Sequence, residues 1–137
     1  MVSSANTELI RRGYEAWNRG DVEGVLALLD PEIEWRGYTH LPDSGTFSGR
    51  EQVRIWLARF LEAWEELEIE LTDLFEAGDA VVALVRFHGR GRGSGVEVRG
   101  GTDAHVWTIR DRRAVAVTLY QGTREALASV GLGDERA

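Results

Sequence analysis

Residues 80–121, AVVALVRFHGRGRGSGVEVRGGTDAHVWTIRDRRAVAVTLYQ, decide the architecture. Apolar and polar side chains alternate along most of this stretch, and β-branched and aromatic residues are common in it. Two turn clusters, Gly93-Ser94-Gly95 and Asp111-Arg112, divide it into strands over 80–92, 96–110 and 114–121. Another strand, over 68–76, precedes them across Gly78-Asp79. Turns this short join antiparallel neighbours, so the pattern predicts a meander of four long strands.

Upstream the apolar period becomes helical. Leu9, Ile10, Tyr14 and Trp17 share one stripe, and Val22, Val25, Leu26 and Leu29 form a second. Between them lies Asn18-Arg19-Gly20-Asp21, where Gly20 suits a left-handed helix end and the Asp21 carboxylate can cap the next helix. Asp30-Pro31 should stop that second helix, because proline disfavours helical backbone in the residue before it. Residues 32–36 alternate as a short strand, and 37–49 have the composition of a loop. A third helix is expected from a capping box, with Ser48 as cap and Glu51 reaching back. Its stripe is Val53, Trp56, Leu57, Phe60, Leu61 and Trp64, and residues 124–130 add one or two helical turns. Helices followed by antiparallel strands give an α+β class, the helices covering one face of the sheet.

The chain has 137 residues and a formal net charge of -7, all its basic side chains being arginine. One domain spanning 1–137 is expected, large enough to hold a core without disulfide or metal staples. With no cysteine there is no thiolate nucleophile and no zinc–thiolate site. The acidic balance opposes nucleic-acid binding, which needs clustered cationic charge. No apolar run approaches a membrane span, and the N-terminus lacks a signal-peptide core, so a cytoplasmic location is expected.

Several pieces in order and spacing carry a family resemblance. They are Tyr14-Glu15-Ala16-Trp17-Asn18-Arg19-Gly20-Asp21, Asp30-Pro31-Glu32-Ile33-Glu34-Trp35, Phe47-Ser48-Gly49-Arg50-Glu51, Ala104-His105-Val106-Trp107, Glu125-Ala126-Leu127 and Gly131-Leu132. Over essentially its whole length the chain resembles the SnoaL-like branch of the nuclear-transport-factor-two-like superfamily, which includes ketosteroid isomerases and polyketide cyclases. The resemblance implies a curved sheet wrapped into a cone, an α+β barrel closed by three helices around a deep, mostly apolar pocket. It also implies a homodimer formed through the outer sheet face. Ketosteroid isomerases use a carboxylate base with a tyrosine and a protonated aspartic acid as oxyanion donors. Here the helical tyrosine position falls on Gly13, one residue from Tyr14, and the base position falls on Trp35 or Arg36. Many SnoaL-like chains carry an aspartate after the tyrosine near the end of the last strand, where this chain has Tyr120-Gln121-Gly122. Identical isomerase or cyclase chemistry is therefore not implied.

Strand alternation puts Asp103, His105, Trp107 and Ile109 on one face, and the resemblance turns that face inward. On a pocket wall His105 can act as base, acid or hydrogen-bond donor, whereas the bland alternative is a buried histidine satisfied by one partner. Asp103 is about 7 Å from it along the strand. Tyr14 and Trp17 share a helix face, either as core or with the Tyr14 hydroxyl offered to a substrate oxygen. Trp17, Trp35, Trp56, Phe60, Phe87, Trp107 and Tyr120 complete the expected ligand-binding wall. His88 should face outward, and the Gly89–Gly95 string should be a flexible, solvated hairpin tip, since a strand follows it and not a phosphate-binding helix. Tyr38, His40 and Asp43 could reach a pocket mouth, but no spacing supports a metal site from His40, Asp43 and His105.

The expected function is small-molecule binding. If the chain is catalytic, it would perform isomerisation, cyclisation or dehydration of an apolar oxygenated ring compound by proton transfer, with no cofactor and no metal. His105 would move the proton, Asp103 would stand beside it, and Tyr14 or Tyr120 would stabilise oxyanion charge. Non-catalytic ligand binding or dimerisation is the alternative, and epoxide hydrolysis would need a third polar member beside Asp103 and Arg36.

Overall fold

The computed structural model describes residues 4–37 and 45–132. Tyr38, His40 and Asp43 lie outside the described residues. In chain order the elements are α1 (Ala5–Asn18), α2 (Val22–Ala27), β1 (Leu29–Arg36), β2 (Thr46–Ser48) and α3 (Arg50–Glu62). These are followed by β3 (Trp64–Ala77), β4 (Ala80–Gly91), β5 (Glu97–Arg99), β6 (Asp103–Arg110), β7 (Arg113–Tyr120) and α4 (Arg124–Ser129). The strands form one curved, unclosed seven-stranded sheet in the order β2-β1-β7-β6-β4-β3, with β5 paired to β4 off that path. The cone-shaped α+β arrangement expected from the resemblance is the one observed.

The meander β3-β4-β6-β7 is antiparallel throughout, as the short turns predict. Asp111 and Arg112 both take positive φ, 51° and 64°, so the β6–β7 turn matches the right-handed twist of its strands. β1 returns from the first third of the chain to pair parallel with β7. The inner sheet face and the helices share one core, which includes Ile10, Leu26, Leu29, Ile33, Val53, Leu57, Val81, Val85 and Val117.

Local chemistry moves several predicted boundaries. The second helix ends at Ala27, before Asp30-Pro31, and those two residues lie inside β1. The β1–β7 register shifts between Leu29 and Glu34. Pro31 has no N–H to give the ladder, and the Asp30 carboxylate takes the Glu32 N–H at 2.9 Å. The expected loop over 37–49 contains a strand, β2, which pairs with Glu34–Arg36. Ser48 does not cap α3. Gly49 holds that position at φ +88° without a side-chain bond, while the Gln52 side chain accepts the Ser48 N–H at 2.8 Å.

Trp64 begins β3 and is not on α3, which ends at Glu62. The predicted strand over 96–110 breaks in two. Between the pairs His88↔Arg99 and Val85↔Asp103, residues 100–102 stand opposite only 86–87, so an extra residue separates β5 from β6. The glycine-rich hairpin tip is also tethered, since the Arg92 guanidinium donates to the Glu62 and Trp64 carbonyls at 2.9 and 3.1 Å.

Candidate functional site

The concave face and the helices enclose a cavity of about 500 Å³. α1 supplies Tyr14 and Trp17 to its wall, three residues apart and therefore on one side of the helix. The Ser4 side chain fixes the start of α1 by accepting the Thr7 N–H at 3.0 Å. α3 supplies Trp56 and Phe60, whose rings stack at 5.1 Å. β1 contributes Trp35, β4 contributes Phe87, and β6 contributes Asp103, His105 and Trp107 at alternate positions. Trp35 and Trp107 meet edge to face at 5.7 Å, which joins the β1 and β6 walls.

Of the predicted site residues, Tyr120 is the one the structure places elsewhere. It pairs with Ala104, whereas Leu119 pairs with the inward-facing His105 and lines the cavity instead. Strand parity turns its aromatic side chain away from the wall. The wall also includes residues outside the expected ligand-binding set. Trp64 lies at the first position of β3, and Val98 and Gly100 come from the β5 hairpin. Trp64 was already part of an aromatic stripe, so its type was a usable signal. Val98 gave none, because nothing distinguishes it from the other apolar residues of the predicted strand over 96–110. His88 pairs outside the cavity with Glu70, Nε2 to Oε1 at 3.0 Å.

The polar part of the wall is small and ordered. The Tyr14 hydroxyl lies 2.6 Å from His105 Nδ1 and accepts the Trp107 indole N–H at 3.0 Å. The Tyr14 and His105 rings are 5.9 Å apart and nearly parallel, and Trp107 stands perpendicular to Tyr14. Burial lowers the His105 pKa from 6.5 to about 3, because the charged imidazolium would be cut off from water. Burial raises that of Tyr14, and the Trp107 hydrogen bond opposes the rise only in part. Near neutral pH both groups are therefore uncharged. Trp17 and Trp35 bury their indole N–H groups without a hydrogen-bond partner among the described residues.

Asp103 is the acidic residue among the described residues lining this cavity. It is half-buried, and its Oδ1 accepts the Gly122 N–H at 2.8 Å, which ties the start of β6 to the turn after β7. Chemically the wall presents one carboxylate, a neutral Tyr14–His105 pair and Gln121 inside a lining dominated by aromatic and aliphatic side chains. Among the described residues no group of three or more His, Asp or Glu could hold a metal ion, and His40 and Asp43 are outside them. No helix among the described residues is long and apolar enough to cross a membrane.

Comparison with known proteins extends this picture. No curated protein sequence matches the chain. Among solved structures, an NTF2-like protein of unknown function from Burkholderia pseudomallei is 26% identical with a TM-score of 0.77, over 94% of this chain and 99% of that one. TerC co-crystallised with polyporic acid is 24% identical with a TM-score of 0.77, over 93% and 98% of the two chains. A ketosteroid isomerase-like protein from Catenulispora acidiphila, in complex with trimethylamine, is 22% identical with a TM-score of 0.74, over 93% and 95%. The last two likenesses speak to fold alone. The family model for the SnoaL-like domain matches residues 10–117, from the first buried turn of α1 to the middle of β7, and the chain belongs to that family.

Proposed function

We propose that this protein binds an oxygenated, largely apolar ring compound in the cavity and moves a proton on it, in an isomerisation, cyclisation or dehydration. The observation that carries this reading is the placement of the Asp103 carboxylate on the same wall as the neutral Tyr14–His105 pair. A base and an uncharged hydrogen-bonding group facing one apolar volume are what proton abstraction beside a carbonyl requires. The geometry favours Asp103 as the proton acceptor. A histidine whose conjugate acid is destabilised by burial to a pKa of about 3 is a weak base near neutral pH. The complex of the related TerC fold with polyporic acid, and the aromatic lining here, support a ring-shaped ligand.

The test does not need the native substrate. Cyclic ketones incubated with the protein in deuterium oxide are followed by NMR for deuteration next to the carbonyl. The native chain should exceed buffer, and Asp103→Asn should lose about 10² to 10⁴ of the excess. No excess over buffer for any ketone would remove the catalytic reading. The second reading, ligand binding without turnover, draws on the engagement of Asp103 Oδ1 at the Gly122 turn. It predicts equal ligand-induced thermal shifts for native protein and Asp103→Asn, with no exchange in either.

A further inference from the structure

Three buried side chains on α1 and β6 form one run of hydrogen bonds, and chemistry fixes its direction. An indole N–H donates and never accepts, so the Tyr14 oxygen is the acceptor of the 3.0 Å bond from Trp107. The phenol then has its own proton to place. Its other hydrogen-bond partner among the described residues is His105 Nδ1, at 2.6 Å. With the hydroxyl donating there, Nδ1 is unprotonated and the ring proton belongs on Nε2. In the reverse arrangement Nδ1–H and the indole would both point at the Tyr14 oxygen. The hydroxyl proton would then be buried without an acceptor, which folded proteins avoid. Burial of the ring also opposes the doubly protonated form.

We propose that Trp107 and Tyr14 hold His105 as the neutral Nε2–H tautomer, with Nδ1 committed to the Tyr14 hydroxyl, so that the imidazole is not the proton acceptor of the site. Tyr14 and Trp107 are positioning residues in this scheme, since both act through the ring. The chemical consequence rests on the proton-transfer reading, whereas the state of the ring does not.

The experiment uses uniformly ¹⁵N-labelled full-length protein without ligand, and long-range ¹H–¹⁵N correlation of its three histidine rings. Loss of one pattern in His105→Gln assigns His105. Native protein should show Nδ1 as an unprotonated and Nε2 as a protonated ring nitrogen, unchanged between about pH 5 and pH 8. In Tyr14→Phe the Nδ1 resonance should move toward that of an imine-type nitrogen with no hydrogen bond. A protonated Nδ1 in the native protein within that range overturns the proposal, and that measurement needs no variant to fold. An Nδ1 resonance identical in native protein and Tyr14→Phe overturns it as well. A protein inert toward every ketone would leave the tautomer result intact. An active one with Nδ1 protonated would lose this inference while keeping its activity.

Discussion

Gly89 shows how one missing atom shapes the cavity. A Cβ there would lie 2.7 Å from Cε3 and Cζ3 of the Trp64 ring, so the indole of a wall residue rests directly on the β4 backbone. Gly89→Ala should destabilise the fold by about 1 to 3 kcal/mol, read as a lower denaturant midpoint, and displace Trp64, read as a change in tryptophan emission. His105 makes a different prediction. Between pH 6.5 and about 3 the unfolded chain binds a proton at this ring that the folded chain refuses. The stability His105 contributes is therefore complete above pH 6.5 and is lost as pH falls toward 3. Unfolding free energy should decline by about 1.4 kcal/mol per pH unit more in native protein than in His105→Gln across that window, measured by urea titration. Parity along a strand put Asp103, His105 and Trp107 on one face, and the family resemblance implied that this face turns inward. The Tyr14–His105 bond was not legible, because it joins residues 91 positions apart whose meeting depends on how α1 lies across the sheet. Tyr120 falls outside the wall by the same parity, since it pairs with Ala104 and Leu119 with His105, but which residues face each other across two strands is set by the pairing and leaves no mark in composition.

At the level of elements, α1 is joined to the sheet by an amide acting as a short piece of strand. The Asn18 side chain donates to the Ile69 carbonyl at 3.0 Å and accepts the Ile69 N–H at 2.8 Å, reproducing the two bonds of a β-pair on β3, which ends the sheet order. Asn18→Ala should cost about 1 to 3 kcal/mol and speed hydrogen exchange at the Ile69 amide, with little effect on amides of the β6–β7 hairpin. Sequence located the helices, the long strands and the Asp21 cap, whose side chain accepts the Gly24 N–H at 2.9 Å, because each has a local signal. It misplaced the start of α3 and the break between β5 and β6. Those depend on Gln52 bonding back to Ser48 and on how many residues face each other across β4, which are matters of partner and not of propensity.

For the whole molecule, the parallel pairing of β1 with β7 has a consequence in time. Trp35 lies on the cavity wall beside Val117, more than half the chain away, and the two are held together by a ladder with no short turn to prearrange it. Contacts of such separation form late and slow a chain's folding. The hairpins β3–β4 and β6–β7 can form early, and β1 must wait for them. During synthesis β1 emerges with β2 to pair along one edge, and its other edge stays open until β7 has followed. Over that interval an unpaired strand edge beside Trp35 is open to whichever chaperone or neighbouring chain meets it first.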